Sequence, residues 1–144
     1  MKKHVIAIAS DHAGVDLKEI LKRELEDMRY ESVDLGTQGT QSVDYPDYAT
    51  KMADWLKEHP EGRGILICGT GIGMSMAANR YRHVRAALAY SGLAAEMARK
   101  HNDANVLCLG ARIIGTDMAK FCLHRFLNAE FEGERHIRRL EKIS

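Results

Sequence analysis

Short apolar runs alternating with longer amphipathic ones predict an α/β fold for this chain. The expected plan is a single Rossmann-like doubly wound domain over residues 1–144, with a five-stranded parallel sheet and helices on both faces. Three observations predict it. Val5-Ile6-Ala7-Ile8-Ala9, Ile65-Leu66-Ile67 and Val106-Leu107-Cys108-Leu109 are apolar at successive positions, as in strands buried on both faces. The first two run into turns that combine glycine with polar side chains. Helical periodicity then resumes, and strand–helix–strand order calls for right-handed crossovers.

In chain order, the Val5 strand is followed by a helix over 15–27, with Leu17, Ile20, Leu21 and Leu25 on one face. Tyr30 to Leu35 reads as a second strand, and Gly36 to Asp44 as a polar loop. A helix over 45–58 follows, with Pro46 suited to its first turn. The Ile65 strand, a glycine turn and a helix ending near Asn79 come next. A strand at 84–88, a helix from Ser91 to His101 and the Val106 strand complete the sheet. Two helices, over 115–127 and from Gly133 onward, finish the chain.

Composition excludes several classes of function. The formal net charge is +1, so no basic footprint for nucleic acid or a membrane surface is present. Cys68, Cys108 and Cys122 are odd in number, widely spaced and outside any CxxC pattern. They read as reduced thiols of a cytoplasmic protein, not as a disulfide framework or a zinc site. Met1-Lys2-Lys3 before a short strand is no signal peptide, and no apolar stretch is of bilayer length.

The most informative segment is Gly64-Ile65-Leu66-Ile67-Cys68-Gly69-Thr70-Gly71-Ile72-Gly73. Alternate glycines strip the turn of Cβ atoms, so backbone N–H groups can converge on one point. The following helix adds unpaired N–H groups, and such a terminus stabilises a thiolate at Cys68. A Walker loop is excluded because no Lys-Ser or Lys-Thr pair follows. The dinucleotide fingerprint fits badly, given the Gly-x-Gly-x-Gly spacing and the absence of an acidic residue near Ala87 to Tyr90. By itself Cys68 also fits an inert core position.

Ligands of open α/β sheets bind beyond the carboxyl ends of the strands. Ser10-Asp11-His12-Ala13-Gly14 follows the first strand, the glycine turn the third, and Arg112 the last. Asp11 equally suits an N-cap. His101 closes a helix, where a cation also meets the negative end of the dipole. That terminus lies opposite the rim, so a His101 that takes part in chemistry implies a second subunit. Arg135 and Arg139 share a helical face, which is either solvated or a clamp for a phosphate.

Together these residues resemble the ribose 5-phosphate/galactose 6-phosphate isomerase family. The likeness runs through Ser10 to Gly14, Asp44-Tyr45-Pro46-Asp47-Tyr48-Ala49, Cys68 to Gly73, His101-Asn102-Asp103-Ala104-Asn105, Gly110-Ala111-Arg112, and Gly133-x-Arg135-His136 with Arg139. It spans nearly the whole chain. Cys68 with His101-Asn102 resembles the ribose-5-phosphate isomerase B branch. Two departures stand out: Glu134 replaces a second glycine, and Ala89-Tyr90-Ser91-Gly92 replaces a segment that often holds a cysteine and an acidic residue.

The resemblance implies interconversion of D-ribose 5-phosphate and D-ribulose 5-phosphate through a cis-enediolate, with no metal or organic cofactor. Cys68 is the implied base and Thr70 the proton relay. His101 of a neighbouring subunit and Asp11 assist ring opening. The N–H groups of Gly69, Gly71, Ile72 and Gly73 meet the enediolate charge. Tyr45 and Asn102 orient hydroxyls, while His12, Arg135, Arg139 and Arg112 hold the phosphate. The implied partners are a small phosphosugar and further copies of the chain, as a homodimer or dimer of dimers. A six-carbon substrate such as allose 6-phosphate is the alternative. A cysteine nucleophile in acyl or phosphoryl transfer fits the motif set less well. A non-catalytic phosphosugar sensor would have no use for Cys68 and Thr70.

Overall fold

The computed structural model describes residues 5–144; Met1-Lys2-Lys3 lies outside them. Six apolar or small residues form β1 (Val5–Ser10), and a 3₁₀ turn (His12–Gly14) leads into α1 (Val15–Asp27). Then follow β2 (Glu31–Asp34), α2 (Tyr45–Glu58), β3 (Arg63–Cys68), α3 (Ile72–Ala78) and β4 (Ala86–Leu88). The chain ends with α4 (Gly92–Asn102), β5 (Val106–Gly110), α5 (Thr116–Asn128) and α6 (Arg135–Ile143). The five strands form one parallel sheet in the order β2-β1-β3-β5-β4.

Alternation along the strands splits the core into two layers. Ile6, Ile8, Ile65, Ile67, Leu107 and Leu109 face α1, α4 and α5, where Leu21, Leu25, Ala95 and Phe126 are buried. Ala7, Ala9, Leu66, Cys68, Val106 and Cys108 face α2 and α3, with Met52, Leu56 and Met74. Small residues on the second face of β1 let α2 approach closely. Strand order reverses between β1 and β3, which opens the crevice where such sheets bind ligands.

Element boundaries differ from expectation in instructive places. β4 begins at Ala86, not at 84, because the Val84 N–H bonds to Tyr81 O in a turn and the Arg85 N–H to the side chain of Asn105. The 3₁₀ turn at 12–14 has no periodic signal; it forms because the Asp11 carboxylate accepts from Ala13 N at 2.9 Å. Ser91 caps α4 rather than joining it.

Candidate active site

At the end of β3 the chain turns on itself around Cys68. The Gly71 N–H donates to Cys68 Sγ at 3.2 Å, and the Ile72 N–H donates to Thr70 Oγ1 at 3.1 Å. Thr70 Oγ1 is therefore an acceptor toward its own turn, and its hydroxyl proton is left to point outward. Gly71 has φ +83, and a Cβ there would lie 2.9 Å from the backbone of Leu109. Only glycine fits. The first bond inside α3 runs from Ser75 N to Gly71 O, so the Gly73 N–H has no partner within the helix. With the Gly71 and Ile72 N–H groups turned inward, the Gly69 and Gly73 N–H groups are left for an acceptor from outside the turn. Because α3 is only seven residues long, the N–H groups of the turn outweigh its dipole.

Neighbouring elements wall the turn. The Tyr45 ring lies where a Gly73 Cβ would sit, 2.5 Å from it, so α2 leans on the start of α3. Arg112 is tied by its N–H to Gly69 O at 2.9 Å, and its guanidinium stands beside Gly69. Asp11 N donates to Ile67 O, which brings the β1 loop to the same rim. One Asp11 oxygen serves as the cap described above. His12 Nδ1 accepts from the Val43 N–H at 3.2 Å, so the neutral ring carries its proton on Nε2.

Three supports of this rim have no sequence signature. Tyr90 Oη donates to Thr70 O at 2.7 Å, across the turn from β4. Lys18, fully buried, reaches Asp34 at 2.7 Å and Thr37 O at 2.6 Å, fastening the 36–44 loop beside His12. Asp34 also accepts from Lys22 and the Gly36 N–H. Burial raises its pKa, but the bonds from Lys18, Lys22 and Gly36 prevail and hold it at about 2.

The cysteines divide by environment. Burial drives Cys108 well above the ordinary thiol range, with the nearby Cys68 adding to it, and burial raises Cys122 to about 11. Both are inert core thiols. Cys68, although only 4 % exposed, ends its strand against the turn.

The remaining residues of interest lie at the other edge. α4 returns from the rim over 11 residues, or roughly 16 Å, and ends with His101 and Asn102. His101 stacks on His136, with ring centroids 4.4 Å apart and planes inclined by 15°. This stack carries α6, and with it Arg135 and Arg139, to the foot of the sheet. His136 is the one buried side chain of α6. Burial lowers its pKa, and Arg135 and His101 push the same way. A basic hollow of about 610 Å³, lined by Arg80, Arg82, Arg85 and Asn102, adjoins this edge and includes neither Cys68 nor Thr70. The predicted residues thus form two groups in one chain. Asp11, His12, Tyr45, the glycine turn and Arg112 gather at the rim; His101, Asn102, Arg135 and Arg139 do not join them.

Residues 6–143 match the family model described as Ribose/Galactose Isomerase. The chain belongs to the ribose/galactose isomerase family. Ribose-5-phosphate isomerase B of Escherichia coli is 40 % identical, over 100 % of this chain and 95 % of its own length. A ribose 5-phosphate isomerase of Thermotoga maritima superposes with TM-score 0.94 at 49 % identity, covering 97 % of each chain. Ribose-5-phosphate isomerase B of Mycoplasma genitalium, solved with ribulose 5-phosphate bound, gives TM-score 0.95 at 44 % identity, over 99 % of this chain and 95 % of that one. The doubly wound fold is that of the ribose/galactose isomerases. Among the described residues, no helix is long and apolar enough to cross a membrane.

The two departures from the family pattern acquire structural meaning. Glu134 holds φ +53 next to Gly133 at φ +70, so a glycine would enter its conformation freely where glutamate is strained. Tyr90 fills its segment with a ring bonded to the glycine turn.

Proposed function

We propose that this chain interconverts D-ribose 5-phosphate and D-ribulose 5-phosphate, at sites that each draw residues from two copies. The observation that carries the chemistry is the Cys68 turn. A sulfur receiving an N–H bond at 3.2 Å sits beside a hydroxyl whose own proton is free to move.

The roles follow from the bonds. Asp11 of one copy and His101 of the other move protons between the ring oxygen and the anomeric hydroxyl, which opens the furanose. The Cys68 thiolate takes the C2 proton; the electron pair forms the C1–C2 double bond, and charge moves onto O1. Gly69 and Gly73 N–H groups receive that charge, while the Gly71 N–H steadies the sulfur. Cys68 returns its proton to C1 as Thr70 moves one from O2 to O1, leaving the ketone at C2. Proton transfers of this kind require no metal or organic cofactor.

His12, through Nε2–H, and Arg112 approach the sugar from the rim, Tyr45 and Asn102 from either side. Arg135 and Arg139 of the second copy hold the phosphate dianion. The Tyr90 ring against the turn narrows the rim and favours a five-carbon over a six-carbon sugar. The three free thiols suit a cytoplasmic setting.

The test is complementation. Cys68→Ala and His101→Asn chains, each inactive alone, are mixed under conditions of verified subunit exchange. Hybrid assemblies then regain up to about a quarter of parental activity, since random pairing makes half the assemblies mixed and each mixed assembly holds one intact site of two. No regained activity after exchange overturns the shared site.

A further inference from the structure

Beside the proposed catalytic groups lies a cluster that the isomerase reaction does not use as a unit. Glu132 Oε1 stands 3.8 Å from His101 Nε2 and 3.8 Å from His136 Nε2. The three donor atoms all lie within 4.8 Å of one another. None is close enough for a hydrogen bond, which needs about 2.7–3.2 Å. His136 is only 6 % exposed, and its Nε2, turned toward the cluster, has no hydrogen-bond partner. A buried polar atom without a partner is destabilising, so a ligand that satisfies it gains accordingly.

We propose that His101, Glu132 and His136 bind a divalent transition-metal ion of the zinc type, and that occupancy withdraws His101 from catalysis. Two imidazoles and one carboxylate suit zinc, cobalt or nickel and leave a fourth position for water. They do not suit magnesium or calcium, which take oxygen ligands. Donors about 2.0–2.1 Å from a tetrahedral ion are roughly 3.3 Å apart. Closing separations of 3.8 to 4.8 Å to that value takes shifts of up to about 1.5 Å, and the His101 ring must also turn out of its stack on His136 to aim Nε2 at the ion. His101 and Glu132, with side chains 38 % and 46 % exposed, are free to make these movements against the fixed His136. Arg135 and Arg139 on the same helix oppose a cation, so the Glu132 charge is what permits binding. An imidazole nitrogen bound to metal can neither take nor give a proton. That consequence rests on the reading that His101 serves a partner's site; the binding itself does not.

The experiment uses full-length protein in two arms. Cobalt(II) is titrated into the parent, Cys68→Ala, Glu132→Gln and His136→Asn chains, and the visible absorption of tetrahedral cobalt is followed. One ion per chain is expected in the parent and in Cys68→Ala, without sulfur charge-transfer bands. Glu132→Gln is expected to bind at least tenfold more weakly. Its exposed side chain makes it decisive even if His136→Asn fails to fold. In the second arm zinc lowers parental turnover, a chelator restores it, and Glu132→Gln requires at least tenfold more zinc relative to its own metal-free rate. Equal cobalt binding in parent and Glu132→Gln, or binding that vanishes with Cys68, overturns the site. Stoichiometric binding without loss of turnover overturns the switch and leaves the complementation result to judge His101 separately.

Discussion

Arg139 shows how much a single side chain can be asked to decide. It is four residues from Arg135 on α6, and like charges at that spacing cost a few tenths of a kcal/mol in a bare helix. A phosphate dianion converts the cost into a gain, since a charge-assisted bond is worth roughly 1.5–3 kcal/mol. Arg139→Ala is therefore expected to raise KM for the sugar phosphate by about one to two orders of magnitude. A contact that holds ground state and transition state equally leaves kcat almost unchanged. Parallel binding titrations check the assignment: the sugar phosphate weakens and the unphosphorylated sugar does not. Equal weakening of both ligands would make α6 an interface or solvated face instead. At this scale the sequence was most legible where backbone geometry demands a residue type, as at Gly71. Supports such as Tyr90 and Val43 escape it, because they act through contacts between residues 20 and 31 positions apart.

Among the elements, the segment joining β2 to α2 depends on one ion cluster. Asp34 accepts from Lys18, Lys22 and the Gly36 N–H, and Lys18 reaches on to Thr37 O. The Ser10 N–H donates to Gly36 O and the Thr37 N–H to Ser10 O, so the loop continues the edge of β1 up to His12. The pKa of Asp34 is depressed, from 3.8 to about 2. A depressed carboxylate stabilises the fold above its unfolded pKa and ceases to do so as pH falls through the folded value. The expected contribution, roughly 2 kcal/mol, is present above about pH 4 and disappears toward pH 2. Urea unfolding of the parent and Asp34→Asn across pH 6 to 2 checks this. The gap between them shrinks by about 2 kcal/mol over that interval, and a gap independent of pH would remove Asp34 from the account. None of this cluster is legible in sequence, since a lysine gives no sign of burial in its residue type and Lys18 proves fully buried. Helices and central strands were legible because their period is local; β4 was overextended because tertiary bonds to Asn105 end it.

The whole molecule places the proposed catalytic and phosphate-binding residues at two ends of one sheet, and that arrangement has a cost within a single chain. α6 has nine residues and buries only His136, too little for a helix of that length to hold itself. Ile137 and Ile143 on α6, Met76 on α3 and Leu93 on α4 remain exposed. The order of the motifs made the parallel sheet predictable, and the position of His101 at the end of its helix is what motivates the proposed second chain. Which surfaces would meet in the proposed assembly is not legible, because exposed apolar residues carry no periodic mark of a partner. A site completed by a second copy makes specific activity depend on protein concentration. Serial dilution of the enzyme at saturating substrate is expected to give constant specific activity until the assembly dissociates. Below that point activity should fall toward zero as monomers take over, and concentrating the sample should restore it. Sedimentation on the same samples fixes where dissociation occurs, and far-ultraviolet circular dichroism verifies that the separated chains stay folded. Monomers that are folded and fully active would place every required group within one chain, which is at odds with the roughly 16 Å that α4 puts between the rim and His101.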